Sequence, residues 1–169
     1  MKIPLRYRCF RAIVRVVLKL YYQSIESYGT QFIPKRGRTL FIGNHQAGAI
    51  DGILILASLE QVVRTVMKHT LEKEPIVGFF AKGLEVVPVY RTQDLNENQL
   101  KSSSSKERNK KAFEAIEQAF VDGQSCLIFP EGISHDKPQI QKLKAGAARM
   151  LLESEAAHDF RLGLQWLPV

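Results

Sequence analysis

Thr39-Leu40-Phe41-Ile42-Gly43-Asn44-His45-Gln46-Ala47-Gly48-Ala49-Ile50-Asp51 is the stretch that decides the fold. Its first part is a short apolar run closed by glycine, which predicts a buried strand. A polar turn follows. From Asp51 onward Ile53, Leu54, Ile55, Leu56, Leu59 and Val62 predict a mostly buried helix. Strand, turn and helix in that order open an α/β layer structure.

The same alternation continues outward. Residues 63–68 predict a second strand, and residues 74–84 a helix, with Pro75 tolerable in its first turn. Residues 86–90 predict a third strand, where Pro88 points to an edge or strand-end position. Residues 92–110 carry no periodicity and contain four consecutive serines, so a mobile loop is expected there. A helix is expected over 111–121, with Phe113, Ile116 and Phe120 facing inward. A fourth strand over 125–129 ends at Pro130-Glu131-Gly132, a further helix spans 145–157, and a fifth strand spans 162–169. The expected architecture is a layered, mostly parallel sheet flanked by helices, preceded by an amphipathic helix. The chain stops inside its last strand, which leads us to expect a C-terminally truncated domain. The expected division is a basic amphipathic helix over 1–30 and the α/β domain over 31–169.

Charge is unevenly placed. The net charge is +7, and residues 1–40 hold nine Lys/Arg against the single acid Glu26, so the excess sits at one end. Apolar residues, aromatic ones included, interleave with these charges (Ile3, Leu5, Phe10, Ile13, Val14, Val16, Val17, Leu18, Leu20, Tyr21, Tyr22). The segment is too charged to span a bilayer, and Arg15 and Lys19 interrupt it as a signal peptide. A basic helix lying in an anionic membrane interface fits, as does a helix packing its apolar side on the domain behind it. One helix can do both. Nucleic acid is disfavoured, because no aromatic-studded basic groove is present. Cys9 and Cys126 form no CxxC pair; Cys126 lies in a strand-like apolar run and reads as a buried thiol, and a reducing, cytoplasmic setting is the simplest inference.

His45 and Asp51 both follow a strand at the carboxyl end of an α/β sheet, where ligand sites gather. In one continuous helix a separation of six would turn them about 240° apart. Gly48 lets the chain bend, so that Asp51 can reach back to the imidazole. Such a pair is a general-base unit: the carboxylate fixes the tautomer, and the other ring nitrogen takes a proton from a hydroxyl. The alternative is that Asp51 caps a helix and His45 is an ordinary loop residue. Glu131 either binds a substrate hydroxyl or holds a loop through backbone N–H groups. Arg91 follows the third strand and suits a phosphate, which it can grip bidentately. Lys68 and Lys144 are further candidate phosphate contacts, or else solvated lysines. Ser134 and His135 are adjacent without marking a base–orienter arrangement. His69 and His158 lack metal-ligand spacing, so no metal is assigned.

Taken together, the Asn-His…Asp segment, the Gly83…Pro88-Val89-Tyr90-Arg91 segment and the Phe129-Pro130-Glu131-Gly132 segment occur in order, each at a strand end. That arrangement resembles the glycerol-3-phosphate and lysophosphatidate acyltransferase family over residues 38–169. It extends to Lys142-Leu143-Lys144-Ala145-Gly146 and to Leu167-Pro168-Val169, which looks like the start of the family's fourth block. Most members place four residues between the motif His and Asp; here there are five. A five-residue gap occurs in a branch that includes glycerol-3-phosphate acyltransferases, and Val-Pro-Val-Tyr-Arg resembles that branch too. The resemblance implies the glycerolipid acyltransferase fold and a catalytic pair of His45 and Asp51. By it, Arg91 holds the acceptor phosphate, and Glu131 with Gly132 shapes the acceptor site. It further implies an acyl thioester on coenzyme A or acyl-carrier protein as co-substrate, a glycerol-phosphate acceptor and no resident cofactor. Location at the cytoplasmic face of a membrane is the matching expectation. No GxSxG nucleophile elbow is present, in keeping with direct transfer without an acyl-enzyme. A thioesterase using the same pair on water, or a non-catalytic lipid-binding module, is the competing reading.

Overall fold

In the computed structural model, which describes residues 5–35, 37–68, 86–89 and 103–169, five strands form one sheet. The elements run α1 (Leu5–Tyr21), β1 (Thr39–Ile42), α2 (Ala49–Ser58), β2 (Val63–Lys68), β3 (Val87–Val89), α3 (Ser103–Val121), β4 (Ser125–Ile128), α4 (Gly146–Ala156) and β5 (Gln165–Pro168). The strand order is β3-β2-β4-β1-β5, and every pairing is parallel.

Because both faces are covered, β1 and β4 run apolar after their first residue instead of alternating. Successive side chains still point to opposite faces. Phe41 and Leu127 join Tyr7, Phe10, Val14 and Leu18 of α1 and Leu56 of α2 in one apolar cluster. Leu40, Cys126 and Ile128 join Ala112, Ile116 and Phe120 of α3 and Met150 of α4 in the other. The result is three layers, with α1 and α2 on one face of the sheet and α3 and α4 on the other. Burial pushes the Cys126 thiol up to about 12, against a smaller opposing pull from Arg64.

The helix α1 uses its residues in two ways. Tyr7, Phe10, Val14 and Leu18 recur at three- and four-residue spacing and are buried. Leu5, Ile13, Val16 and Leu20 lie on the other side and are exposed. Part of the basic excess is engaged internally. Arg11 Nη1 donates to the carbonyls of Leu59 and Glu60, each at 2.8 Å, and Arg15 Nε to that of Ala57 at 2.6 Å. These carbonyls close the carboxyl end of α2, which carries partial negative charge, and each cation there contributes roughly 0.3–1 kcal/mol.

The expected loop over 92–110 is corrected in its second half, because α3 begins at Ser103. Serines suit a helix start, and the Lys-Glu-Arg-Asn-Lys run that follows has adequate helix propensity. A Lys110–Glu114 pair four residues apart, at 3.9 Å, supports it. This end of α3 shows no apolar stripe because it is solvated, with Glu107 and Lys110 exposed. The fifth strand is shorter than expected and begins at Gln165. Upstream of it the buried Glu155 carboxylate accepts the N–H groups of Leu162 and Leu164, so that segment is held by a side chain and not by a ladder. Pro88 lies in β3 at one edge of the sheet. The helix expected over 74–84, and Arg91, lie outside the described residues.

Candidate active site

Two neighbouring parallel strands set the site. Ile42 of β1 pairs with Ile128 of β4, so the segments that follow them emerge side by side at the carboxyl edge. From β1 the chain turns to α2 and the face shared with α1, whereas β4 leads on to α4 on the opposite face. Adjacent strands whose connections leave to opposite faces open a crevice between them, which is the usual ligand position in such sheets. His45 and Glu131 each follow their strand by three residues.

Gly48 makes the dyad possible. It precedes α2 with φ 63° and ψ −136°, a conformation that side-chain-bearing residues avoid. The bend brings Asp51, in the first turn of α2, back to His45, with His45 Nδ1 and Asp51 Oδ2 at 3.2 Å. The same Oδ2 accepts the Ala47 N–H at 2.8 Å. Asp51 is therefore the orienter and a helix-start acceptor at once, at the end of α2 that favours negative charge. With Nδ1–H directed at the carboxylate, the neutral ring presents a lone pair at Nε2. That nitrogen has no hydrogen-bond partner among the described residues, and the His45 side chain is 22% exposed. The imidazole lies stacked on the Phe129 ring, with centroids 4.3 Å apart and planes at 17°. Gly43 leaves room for that ring, since a Cβ there would come within 2.8 Å of Phe129 Cε1.

Glu131 is 1% exposed and is satisfied within the protein. Its Oε1 accepts the Gln141 N–H at 2.9 Å, and its Oε2 accepts the His45 N–H at 3.0 Å. His135 Nε2 lies 3.0 Å from Oε2. Burial alone would raise this carboxyl. The N–H groups of Gln141 and His45, with His135, outweigh it and hold the group below the ordinary carboxylate value. Of the two roles open to Glu131, the geometry realises loop-holding through backbone N–H groups.

Gly132 adopts φ 65°, and the Lys144 side chain crosses directly over it; a Cβ at Gly132 would sit 2.7 Å from Lys144 Nζ. Lys144 N–H also donates to the Pro130 carbonyl at 2.8 Å. Lys144 thus belongs to the same edge as His45 and Glu131. Lys68 ends β2 on that edge, and its backbone pairs with Val89, two residues before Arg91. From the sequence, His135 carries no assigned role, and Phe129 enters only as part of the Phe129-Pro130-Glu131-Gly132 segment. The segment is not helical, so the four-residue spacing of Glu131 and His135 carried no signal; the loop conformation, with Gly132 at φ 65°, brings the two side chains together.

An α/β sheet with a His–Asp pair at a topological switch point has the parts of a general-base site. The chain belongs to the acyltransferase family, whose sequence profile, described as Acyltransferase, matches residues 24–168. It is similar to an uncharacterized acyltransferase of Schizosaccharomyces pombe, 43% identical over 56 residues, covering 33% of this chain and 8% of that protein. It is also similar to the 1-acyl-sn-glycerol-3-phosphate acyltransferase of Borreliella burgdorferi, 26% identical over 150 residues, covering 89% of this chain and 55% of the relative. Among solved structures, the 1-acyl-sn-glycerophosphate acyltransferase PlsC of Thermotoga maritima superposes with a TM-score of 0.66 at 17% identity. That match covers 96% of this chain and 55% of the other, and it supports the parallel-sheet acyltransferase fold. The chain thus spans little more than half the length of the longer-matching relatives.

Proposed function

We propose that the protein transfers a fatty acyl group from an acyl thioester, on coenzyme A or acyl-carrier protein, to a hydroxyl of glycerol-3-phosphate or lysophosphatidate. The observation that carries this reading is the His45–Asp51 contact at 3.2 Å, which leaves Nε2 as an accessible base. The names of the Borreliella and Thermotoga relatives point to the acceptor class.

Nε2 takes the hydroxyl proton as the acceptor oxygen attacks the thioester carbonyl, and Asp51 stabilises the imidazolium that forms. The tetrahedral centre then collapses with cleavage of the C–S bond, and the imidazolium returns its proton to the departing thiolate. Arg91, Lys68 and Lys144 are the proposed contacts for the acceptor phosphate. Gly132 and Glu131 shape the acceptor site, Glu131 by holding the loop around it. No cofactor is required in this scheme.

The same reading sets the protein on the cytoplasmic face of a membrane rich in anionic lipid, where its acceptor is made or inserted. In support, α1 exposes Leu5, Ile13, Val16 and Leu20 beside the exposed cations Arg8 and Lys19. Among the described residues no helix is long and apolar enough to cross a membrane.

Thiol release from acyl-CoA and from acyl-carrier protein, each with glycerol-3-phosphate, with lysophosphatidate and with neither, tests the proposal. Release that depends on one of the acceptors supports it. Release at the same rate without either acceptor would replace it with a thioesterase.

A further inference from the structure

His135 is among the least exposed ionisable side chains near the site, at 7%, and the transfer chemistry gives it no direct part. Its ring is held at both nitrogens. Nδ1 accepts the Lys137 N–H at 3.2 Å, so the neutral ring carries its proton on Nε2, aimed at Glu131 Oε2 at 3.0 Å. Its own backbone N–H donates to the His45 carbonyl at 3.1 Å. Glu131 Oε2, in turn, accepts the His45 N–H at 3.0 Å. Both main-chain polar groups of His45 are therefore held by one short loop, one through Glu131 and one through His135 itself. Gln46 Nε2, donating to the Lys137 carbonyl at 3.2 Å, adds a tie on the next residue.

The loop has anchors that do not involve the His135 ring. Gly132 N–H donates to the Phe129 carbonyl, Lys144 N–H to that of Pro130, and Gln141 N–H to Glu131 Oε1. Removing the ring leaves the loop attached at these points. What it releases is the orientation of Glu131 Oε2, the atom that bears on His45.

We propose that His135 is a positioning residue for the acyl transfer: it orients the Glu131 carboxylate, and through that carboxylate and its own N–H it fixes the main chain of His45, placing Nε2 against the acceptor hydroxyl. The proposal rests on the reading of His45 as the base. A misplacement of about 1 Å at a reacting group lowers rates by up to about a hundredfold, so a role of this kind acts on turnover and not on affinity.

The test is steady-state thiol release from palmitoyl-CoA with whichever of glycerol-3-phosphate or lysophosphatidate is the acceptor. The proteins compared are native, His45→Ala, His135→Ala, His135→Gln and His135→Asn, each checked for folding by circular dichroism. A Gln amide can place a donor near the position of Nε2, whereas Asn is one methylene too short. We expect His135→Ala and His135→Asn to lose about ten- to hundredfold in kcat, with both KM values within about twofold of native. We expect His135→Gln to recover to within about threefold. Should His135→Ala not fold, the contrast between Gln and Asn decides alone. Native kcat in His135→Ala, a change confined to the acceptor KM, or equal impairment of Gln and Asn would each overturn the proposal. An active His45→Ala would instead remove the base assignment beneath it, which separates the two failures.

Discussion

Replacing Asp51 by asparagine separates the charge of the dyad from its geometry. One atom, Oδ2, accepts from both the Ala47 N–H at 2.8 Å and His45 Nδ1 at 3.2 Å. An asparagine carbonyl oxygen in that position keeps both hydrogen bonds. The Ala47 group can only donate, so it selects that orientation over the flipped amide. The tautomer of His45 is then retained, and the loss is the negative charge facing the imidazolium. Two unit charges about 4 Å apart interact by about 4 kcal/mol at an effective dielectric near 20. Both side chains are partly exposed, at 22% and 19%, which screens the pair to roughly 2–3 kcal/mol. At about 1.4 kcal/mol per decade, Asp51→Asn should lower kcat/KM by roughly 30- to 150-fold. Asp51→Ala also frees the ring and leaves the Ala47 N–H without its acceptor, so it should lose about tenfold more. The assay is acceptor-dependent thiol release, with thermal melting to confirm the fold. An Asp51→Asn enzyme within about threefold of native would refute the reasoning and reduce Asp51 to a helix-start residue. Asn and Ala variants equally impaired would show that geometry, not charge, is what Asp51 supplies.

Other consequences follow from the same geometry. Gly43→Ala puts a Cβ 2.8 Å from Phe129 Cε1, and that ring carries the stacked His45. The overpacking should cost about 1–3 kcal/mol in denaturant titration, and displacement of the imidazole should lower kcat by about tenfold or more. Glu131 is held below its ordinary value of 4.5, so its contribution to stability is fully present above that pH and is lost as pH falls through the lowered value. Part of the fall in melting temperature below that ordinary value should come from Glu131, and Glu131→Gln should be destabilised at neutral pH while losing this part of the acid dependence. With Cys126 buried and its thiol raised to about 12 while Cys9 is exposed, a thiol reagent at mildly alkaline pH should modify one cysteine in the folded protein and both after unfolding.

The sequence carried most of the fold because each strand is a short apolar run between punctuating residues. The runs at 39–43 and 125–129 have both faces covered and so are uninterrupted. The start of α3 was not legible, since a solvated helix end has no apolar periodicity and a serine run resembles a linker. The beginning of β5 was hidden for a different reason. Leu162 and Leu164 look like strand residues, yet their N–H groups go to the Glu155 side chain. In the site, the His45–Asp51 contact was accessible once Gly48 allowed the chain to bend. The role of Glu131 was open between substrate contact and loop anchor, because a carboxylate in Pro-Glu-Gly fits either. Only its burial and its backbone partners show the second. His135 was hidden because its function depends on a contact with the backbone of a residue ninety positions earlier in the chain. The arginines of α1 illustrate the same limit: as a composition they read as a surface for anions, yet Arg11 and Arg15 close the end of α2.

The most direct test of the central claim is acceptor-dependent thiol release by His45→Ala beside the native protein, both shown to be folded. With His45 Nε2 as the base, the native rate should require the glycerol-phosphate acceptor, and the variant should fall by roughly 10²–10⁴-fold. Acceptor-dependent release by His45→Ala within about threefold of native would contradict the account.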